Sequence, residues 1–192
     1  MKEGVNMTTC SWSYQKSESL QAYHELEWGK PEYNENKIFE ILALESLQSG
    51  LKWELILERR ENLRKAFLDF DPDKIANFTE VEVEQLMQNP TIIRNRNKIQ
   101  AIINNAKLVK QMHQENKKLS EYFWNIIHYQ PIINHYHHQE EIPKETELSR
   151  QIAKSLKKKG FKFVGPVTIY SFMQASGMVD DHLVNCDVKL NN

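Results

Sequence analysis

Apolar residues recur along most of the chain at the spacing of amphipathic helices, and the alternation typical of strands is scarce. The clearest apolar stripe joins Ile38, Ile41 and Leu42, and it continues through Glu45 and Ser49. Asn34 can cap this helix and Gly50 can end it. The pattern therefore predicts a long, strongly apolar helix with one carboxylate on its buried side.

Capping and helix-breaking residues predict where the other helices begin and end. Thr79 and Glu82 form a capping box, and Asn89-Pro90 stops the helix that follows it. Further helices are predicted after Ser17, over residues 53–67, from Ile99, from Ser120, over residues 146–159 with Gly160 as the cap, and after Gly165-Pro166. Residues 129–146 are expected to be irregular. The fold class predicted from this pattern is all-α.

A polar segment, residues 92–98, lies between two of the predicted helices. Its Arg94, Arg96 and Lys98 suit a hairpin that presents backbone N–H groups and basic side chains to a phosphate. Because the segment has no glycine, Asn95 and Asn97 would supply its left-handed conformations. A helix–helix turn with a solvated tip explains the segment equally well. The lysine cluster around Gly160 is interpreted as a solvated face or a helix C-terminus.

Length and composition bound the class of protein. A chain of 192 residues suits one large domain or two small lobes that share a core. No apolar run is long enough for a membrane span, and the N-terminus lacks the apolar segment of a secretory signal. The net charge of −1 gives no overall indication of nucleic-acid binding. We expect a globular, cytoplasmic protein without a membrane partner.

The two cysteines, Cys10 and Cys186, lie near opposite ends of the chain, and each has a histidine within reach, His24 and His182. A structural disulfide is disfavoured in a cytosolic protein, which leaves metal binding as an alternative. The spacing from His182 to Cys186 fits one helical turn and a tetrahedral zinc ion, but the longer spacing from Cys10 to His24 needs the fold to close it. Spacing alone slightly favours two unrelated buried cysteines. The histidines of residues 134–138 are interpreted as part of a solvated loop.

Glu45 occupies an apolar stripe, where a carboxylate costs several kcal/mol unless it is paired or used. Either it pairs locally with an arginine or a backbone donor, or it lies at the floor of a pocket and accepts hydrogen bonds from a ligand. The pattern alone does not decide between these. Five aromatic residues are concentrated in the first third of the chain: Trp12, Tyr14, Tyr23, Trp28 and Trp53. With Glu45 they suit either core packing or a box that holds a flat, electron-poor ring.

These residues together carry a family resemblance. The chain resembles 3-methyladenine DNA glycosylase I, the TAG family of helix-hairpin-helix glycosylases, from Cys10 to Cys186. The matching blocks are CSW at 10–12, AYHELEWG at 22–29, IFEILALES at 38–46, GLKW at 50–53, RREN at 59–62, FDPDKIA at 70–76, IIRNRNKIQAIINNA at 92–106 and KKKGFKFVGPVTIYSFMQASGMVDDH at 157–182.

The resemblance implies a fold, a zinc ion and a set of site residues. The fold would be a helix-hairpin-helix glycosylase in which a single structural zinc ion staples the N- and C-terminal segments together. Its lobes would comprise residues 1–35 with 145–192, and residues 36–144. The implied ligands are Cys10, His24, His182 and Cys186, which overturns the preference from spacing. The implied base pocket holds Glu45 as the catalytic residue, with Tyr23, Trp53, Trp12, Trp28 and Ser171. The implied DNA contacts are Gly50, with Leu51 as a wedge, and Arg94, Arg96 and Lys98.

The implied activity is that of a monofunctional enzyme in base excision repair. It would flip an alkylated adenine out of double-stranded DNA, hydrolyse the N-glycosidic bond and release free 3-methyladenine. We expect a monomer. The alternative is a zinc-stapled DNA-binding protein without glycosylase activity, which would need no base pocket. Lys52 and Leu55 depart from the usual family pattern, and this puts the breadth of substrates in doubt.

Overall fold

The computed structural model describes residues 9–14 and 16–190, and α-helices dominate this part of the chain. The helices are α1 (Glu18–Leu26), α2 (Glu35–Gln48), α3 (Trp53–Ala66), α4 (Pro72–Ile75), α5 (Glu80–Gln88), α6 (Arg96–Gln114), α7 (Leu119–Ile126), α8 (Glu147–Lys158) and α9 (Pro166–Ala175). The all-α prediction is confirmed. The predicted absence of a signal segment concerns residues 1–8, which lie outside the described residues.

The helix boundaries follow the capping residues of the sequence closely. The Asn34 side chain accepts a hydrogen bond from the Lys37 N–H at 3.1 Å. Thr79 and Glu82 form the predicted capping box, and Gly160 has the positive φ of +95° that ends α8. These starts and stops are local in sequence, which is why they could be predicted.

Three local predictions were wrong. Helix α6 begins at Arg96 rather than Ile99, and α7 begins at Leu119 rather than Ser120. Neither Asn95 nor Asn97 is left-handed: Asn95 has φ −131° as the N-cap of α6, and Asn97 lies inside that helix. The Asn95 side chain accepts from the Lys98 N–H at 3.2 Å, so this asparagine serves as a cap and not as a turn residue.

The irregular segment 129–146 contains a short strand that the sequence did not indicate. Strand β1 (Ile132–Ile133) pairs in parallel with β2 (Val179–Asp180), with Ile132 opposite Val179 and Ile133 opposite Asp180. A strand of two residues is too short to show alternation. The pairing fixes the segment that follows α9 in an extended conformation.

Helix α2 lies at the centre of the molecule and buries residues around most of its circumference, from Ile38 and Phe39 to Leu44 and Leu47. It packs against α3, α6, α7 and α9. The main hydrophobic core extends from Ile38 to Val179, so it spans both predicted lobes. The division into lobes at residues 35 and 145 stays a prediction. None of the described helices is long and apolar enough to span a membrane.

A polar cluster at the N-terminus of α2 joins four helices. The Glu35 carboxylate accepts from the N–H groups of Leu119 and Ser120, each at 2.8 Å, at the start of α7. His113, near the end of α6, lies 2.9 Å from Glu35 and 3.0 Å from Asp73 of α4. Partial burial lowers the pKa of His113, but hydrogen bonds to Glu35 and Asp73 outweigh it and raise the pKa above 6.5.

We predict that His113→Gln lowers stability in a pH-dependent manner. The folded pKa of His113 is raised, so its contribution is fully present below pH 6.5 and is lost as the pH rises through the folded pKa. The variant should therefore lose about 1 kcal/mol near pH 6 and much less at pH 9, as measured by urea unfolding. The exposed His135→Gln serves as the control. An equal loss at both pH values would contradict the ion-pair interpretation.

Candidate active site and metal centre

A cavity of about 230 Å³ opens beside the last turn of α2. It is lined by Trp12, Tyr23, Trp28, Glu45, Gln48, Trp53, Gln139, Ser171 and Gln174. The structure thus brings together all six residues that the sequence assigned to a base pocket. Six of the nine lining residues come from α1, α2, α3 and α9, and Trp12, Trp28 and Gln139 come from the connecting segments.

Aromatic rings form much of the wall of this cavity. The rings of Tyr23 and Trp53 lie with centroids 5.3 Å apart at 53°. Those of Trp12 and Trp28 meet edge to face at 5.0 Å. Such an arrangement leaves flat apolar faces beside a polar floor, which suits a planar heterocycle.

Glu45 supplies the polar floor. Glu45 is only 5% exposed, and burial raises the pKa of its carboxyl group to about 8. Within the described part of the chain, no hydrogen bond or ion pair compensates this burial. The buried Glu40 of the same helix differs, because Arg60 and Arg64 pair with it at 2.6 and 2.9 Å. Local pairing of Glu45, the first of the two alternatives, is therefore wrong.

Two further polar atoms of the cavity wall are buried without a partner among the described residues: Trp53 Nε1 and Gln139 Oε1. Leaving a buried donor or acceptor unpaired costs about 1–3 kcal/mol, so such atoms are rare unless a ligand or water completes them. Like Glu45, these groups belong to residues that line the cavity and have no partner among the described residues.

Three lining residues were missed from the sequence. Gln48 lies three residues after Glu45, and Gln174 three residues after Ser171, so helical spacing could have indicated both. Gln139 lies in the 3-10 turn Gln139–Glu141, within the segment interpreted as irregular. No local pattern distinguishes it.

A second group of side chains lies behind the cavity, where the two ends of the described chain meet. Ligand atoms of Cys10, His24 and Cys186, all buried, lie within 4.8 Å of one another. His24 Nε2 is 3.5 Å from Cys186 Sγ. A hydrogen bond from Cys10 holds the pKa of the Cys186 thiol well below its ordinary range, and the thiolate is the form that binds metals. The donor set of two sulfurs and one imidazole nitrogen suits zinc.

His182 lies outside this group of three but faces it. Its Nε2 is buried without a partner among the described residues, and its ring centroid is 4.9 Å from that of His24. Its Nδ1 is held by Asp180 Oδ1 at 2.7 Å, the carboxylate support that metal-binding histidines commonly have. A Cβ on Gly29 would lie 2.6 Å from His182 Cε1, so glycine at this position leaves room for the ring.

The histidines of this centre pack directly on two tryptophans of the cavity. Trp12 meets His24 edge to face at 5.1 Å, and Trp28 meets His182 at 4.6 Å. The candidate metal centre therefore shares a wall with the cavity, although it does not open into it through any ligand atom described here.

The residues predicted to contact DNA are not all free to do so. Gly50 is exposed with φ +80°, Leu51 is half-buried, and Arg94 is exposed. Arg96, however, pairs with Glu80 and Glu84. Lys98 is only 7% exposed, and its Nζ donates to the carbonyls of Leu47 and Ser49 at 2.7 and 2.6 Å. Lys98 therefore caps the C-terminal end of α2, and its burial and these two bonds leave a single N–H for any contact with phosphate.

A second hairpin, residues 159–165 between α8 and α9, lies close to the cavity. It exposes Lys162 and Phe163, and Phe163 has φ +55°. The Phe163 carbonyl accepts from Ser46 Oγ at 3.3 Å, next to Glu45. A groove of about 360 Å³ separates this hairpin from the first turns of α6. The sequence interpretation of these lysines was a solvated face or a helix C-terminus, and Lys157 and Lys158 do lie in the last turn of α8; the hairpin that follows was missed.

Comparisons with known proteins agree with this geometry. The family model described as methyladenine glycosylase matches residues 12–189. DNA-3-methyladenine glycosylase 1 of Escherichia coli (strain K12) is 46% identical over 180 residues, which cover 94% of this chain and 96% of that protein. DNA-3-methyladenine glycosylase of Haemophilus influenzae (strain ATCC 51907 / DSM 11121 / KW20 / Rd) is 42% identical over 182 residues, covering 95% and 98%.

A solved structure is similar over nearly its whole length. It is that of 3-methyladenine DNA glycosylase I (TAG) from Staphylococcus aureus, solved to explain how that enzyme recognises 3-methyladenine. It superposes with a TM-score of 0.91 at 35% identity and covers 97% of this chain and 98% of its own. Fold and sequence together show that the chain belongs to the methyladenine glycosylase family.

Proposed function

We propose that this protein is a monofunctional DNA glycosylase that removes 3-methyladenine from alkylated double-stranded DNA. The observation that carries the proposal is the buried, unpartnered carboxyl group of Glu45 in an aromatic-walled cavity. A protein that only binds DNA has no use for such a cavity, and this disfavours the non-catalytic alternative. Free 3-methyladenine would be the released base. A monomeric state and a cytoplasmic location remain predictions from the sequence.

The proposed reaction is hydrolysis at C1′ of the flipped nucleotide. An adenine methylated at N3 carries a positive charge, so it is already a good leaving group. A water oxygen forms a bond to C1′, the bond from C1′ to N9 breaks, and its electron pair neutralises the departing base. The water proton passes to solvent. No general base is assigned, because no second carboxylate lines the described cavity.

Glu45 would contribute by favouring the binding of a cationic base over that of the neutral, undamaged bases. The free enzyme holds Glu45 largely protonated at neutral pH, because its pKa is about 8. A bound cation stabilises the carboxylate and lowers that pKa, so binding releases a proton. Tyr23 and Trp53 would hold the ring by stacking. Trp12, Trp28 and Ser171 would complete the pocket.

The DNA would lie across the mouth of the cavity. Gly50 exposes the turn between α2 and α3, and Leu51 would fill the gap left by the extruded base. Arg94 would contact a phosphate directly. We propose that Arg96 and Lys98 act mainly by shaping the α5–α6 turn and the end of α2, and that the second hairpin adds Lys162 and Phe163 to the DNA face.

We propose that Cys10, His24, His182 and Cys186 hold one zinc ion. Four protein ligands leave no open position, so the ion would be structural and would tie the terminal segments together. By fixing His24 and His182, the ion would also position the tryptophans that pack on them at the cavity wall, Trp12 on His24 and Trp28 on His182.

The test of function is Glu45→Gln, which keeps the size of the side chain and removes its charge. We expect the variant to fold and to bind free 3-methyladenine about 1–3 kcal/mol more weakly, as for a lost charge-assisted hydrogen bond. Release of 3-methyladenine from methylated duplex DNA should fall at least about tenfold. Tyr23→Phe and Trp53→Ala should weaken base binding as well.

Glu40→Gln is the matched control, since Glu40 is a buried glutamate of the same helix that has partners. It should lower stability and leave base affinity intact. Glu45→Gln should weaken base binding without lowering stability.

The raised pKa of Glu45 also makes stability depend on pH. Between pH 4.5, the ordinary pKa of a glutamate, and pH 8, the free energy of unfolding of the wild-type protein should fall by about 1.4 kcal/mol per pH unit. The variant should therefore be the more stable protein at pH 8, with the difference vanishing near pH 4.5. Unchanged base binding and excision in Glu45→Gln would overturn the proposed function.

The zinc assignment predicts about one ion per chain in freshly purified protein. Cys186→Ser should lower the zinc content and lower Tm by at least about 4 °C, corresponding to 1 kcal/mol or more. Chelation should lower the Tm of the wild-type protein similarly. His135→Gln, an exposed histidine of the 134–138 loop, should retain the ion. Absence of zinc by elemental analysis, with a Tm insensitive to chelation, would exclude the site.

The wedge assignment predicts that Leu51→Ala weakens binding to duplex DNA with an abasic site and leaves binding of free 3-methyladenine nearly unchanged. The physical reason is that the wedge contacts neighbouring bases and not the flipped one. Leu26→Ala alters a leucine that is 69% exposed on α1 and should change neither affinity. Equal losses in both assays for Leu51→Ala would identify Leu51 as a packing residue.

A further inference from the structure

A buried carboxylate outside the cavity makes three strong hydrogen bonds. Asp181 is 0% exposed, and its Oδ2 accepts from Tyr170 Oη at 2.6 Å and from Gln174 Nε2 at 2.7 Å. Its Oδ1 accepts from Asn134 Nδ2 at 2.7 Å. Asp181 does not line the cavity, but Gln174 does.

This network fixes the orientation of the Gln174 side-chain amide. Gln174 presents its NH₂ group to Asp181 Oδ2, an oxygen that also accepts from the Tyr170 hydroxyl and offers nothing that the Gln174 amide oxygen could accept. The amide oxygen then lies on the opposite side of the amide carbon. Within the described part of the chain, no donor is hydrogen-bonded to Gln174 Oε1. Gln174 therefore offers the cavity an acceptor that cannot exchange places with a donor.

We propose that Gln174 is a specificity-determining residue that reads the exocyclic amino group of the base, and that Asp181 is its positioning residue. This inference rests on the proposed function. Adenine carries an amino donor at its 6-position, where guanine and hypoxanthine carry a carbonyl acceptor. An acceptor held at that edge is satisfied by the amino group and repelled by the carbonyl oxygen.

Glu45 alone does not provide this discrimination. A carboxyl group that is protonated near neutrality can donate to a carbonyl as readily as its ionised form accepts from an amino group. Gln174 has no such freedom while Asp181 holds its NH₂ group. The 6-amino group of adenine carries two protons, so it can donate one to the Glu45 carboxylate and one to Gln174 Oε1. Glu45 would then sense the charge of the base, and Gln174 would sense its 6-substituent.

The test compares the affinities of free 3-methyladenine and of 3-methylhypoxanthine, the matched base with oxygen in place of the amino group. The wild-type protein should prefer 3-methyladenine. Gln174→Met should bind 3-methyladenine about tenfold more weakly, as expected for about 1.4 kcal/mol, without weakening 3-methylhypoxanthine, so the preference collapses. Asp181→Asn leaves Gln174 in place but lets its amide turn over, so the preference should fall here too.

Two further variants separate positioning from folding. Tyr170→Phe removes one donor to Asp181 and keeps its bond to Gln174, so the preference should survive. Combining Asp181→Asn with Gln174→Glu restores an amide-to-carboxylate bond with a free acceptor oxygen toward the cavity, and the preference should return. Zinc content and circular dichroism verify that each variant is folded.

The outcomes distinguish this inference from the proposed function. A wild-type protein that binds neither base would overturn both. If the wild-type protein discriminates and Gln174→Met retains that preference, or loses affinity for both bases equally, Gln174 only packs and the inference alone is overturned.

Discussion

The structure depends on one costly constraint: an unpaired carboxyl group held inside the most deeply buried helix. Burial raises the pKa of Glu45 to about 8, whereas a free glutamate ionises near 4.5. The surrounding core of α2, with α3, α6, α7 and α9 packed on it, must supply the stability that this group removes. Glu40, five residues earlier, has the partners that Glu45 lacks. The contrast within one helix supports the proposal that Glu45 interacts with a ligand, since arginines are available to the other buried carboxylate of α2.

The candidate metal centre and the cavity act as one unit because they share aromatic walls. Trp12 and Trp28 contact each other; Trp12 also contacts His24, and Trp28 contacts both His24 and His182. These tryptophans precede or follow α1 and have no regular secondary structure to hold them. A tie between Cys10 near the start and Cys186 near the end would therefore stabilise the cavity wall as well as the termini. A structural ion would in this way affect base binding without entering the chemistry.

The sequence predicted the features that depend on local patterns and missed those that depend on distant contacts. The caps at Asn34, Thr79 and Gly160 are determined by neighbouring residues, and all were found. The roles of Arg96 and Lys98 could not be predicted from the residues next to them in the sequence. The carbonyls that Lys98 binds belong to α2 and its end, about fifty residues earlier in the chain. The pocket residues were found through the family resemblance, which encodes such contacts. The glutamines of the cavity wall were missed: helical spacing from Glu45 and Ser171 could have indicated Gln48 and Gln174, but no local pattern marks Gln139.

The short parallel pair β1–β2 shows how such a distant contact can organise two sites at once. Successive side chains of an extended strand point in opposite directions. Because β1 holds the end of β2 extended, Asp180 and Asp181 face opposite sides. Asp180 turns to His182 at the candidate metal centre, and Asp181 turns to Gln174 at the cavity. A shift of the strand register by one residue would exchange the directions of the two aspartates. Asp180 would then lose its contact with His182, and Asp181 its contact with Gln174. The two-residue strand thus lies where one aspartate contacts the candidate metal centre and the next contacts the cavity wall, although it contributes little to the hydrophobic core.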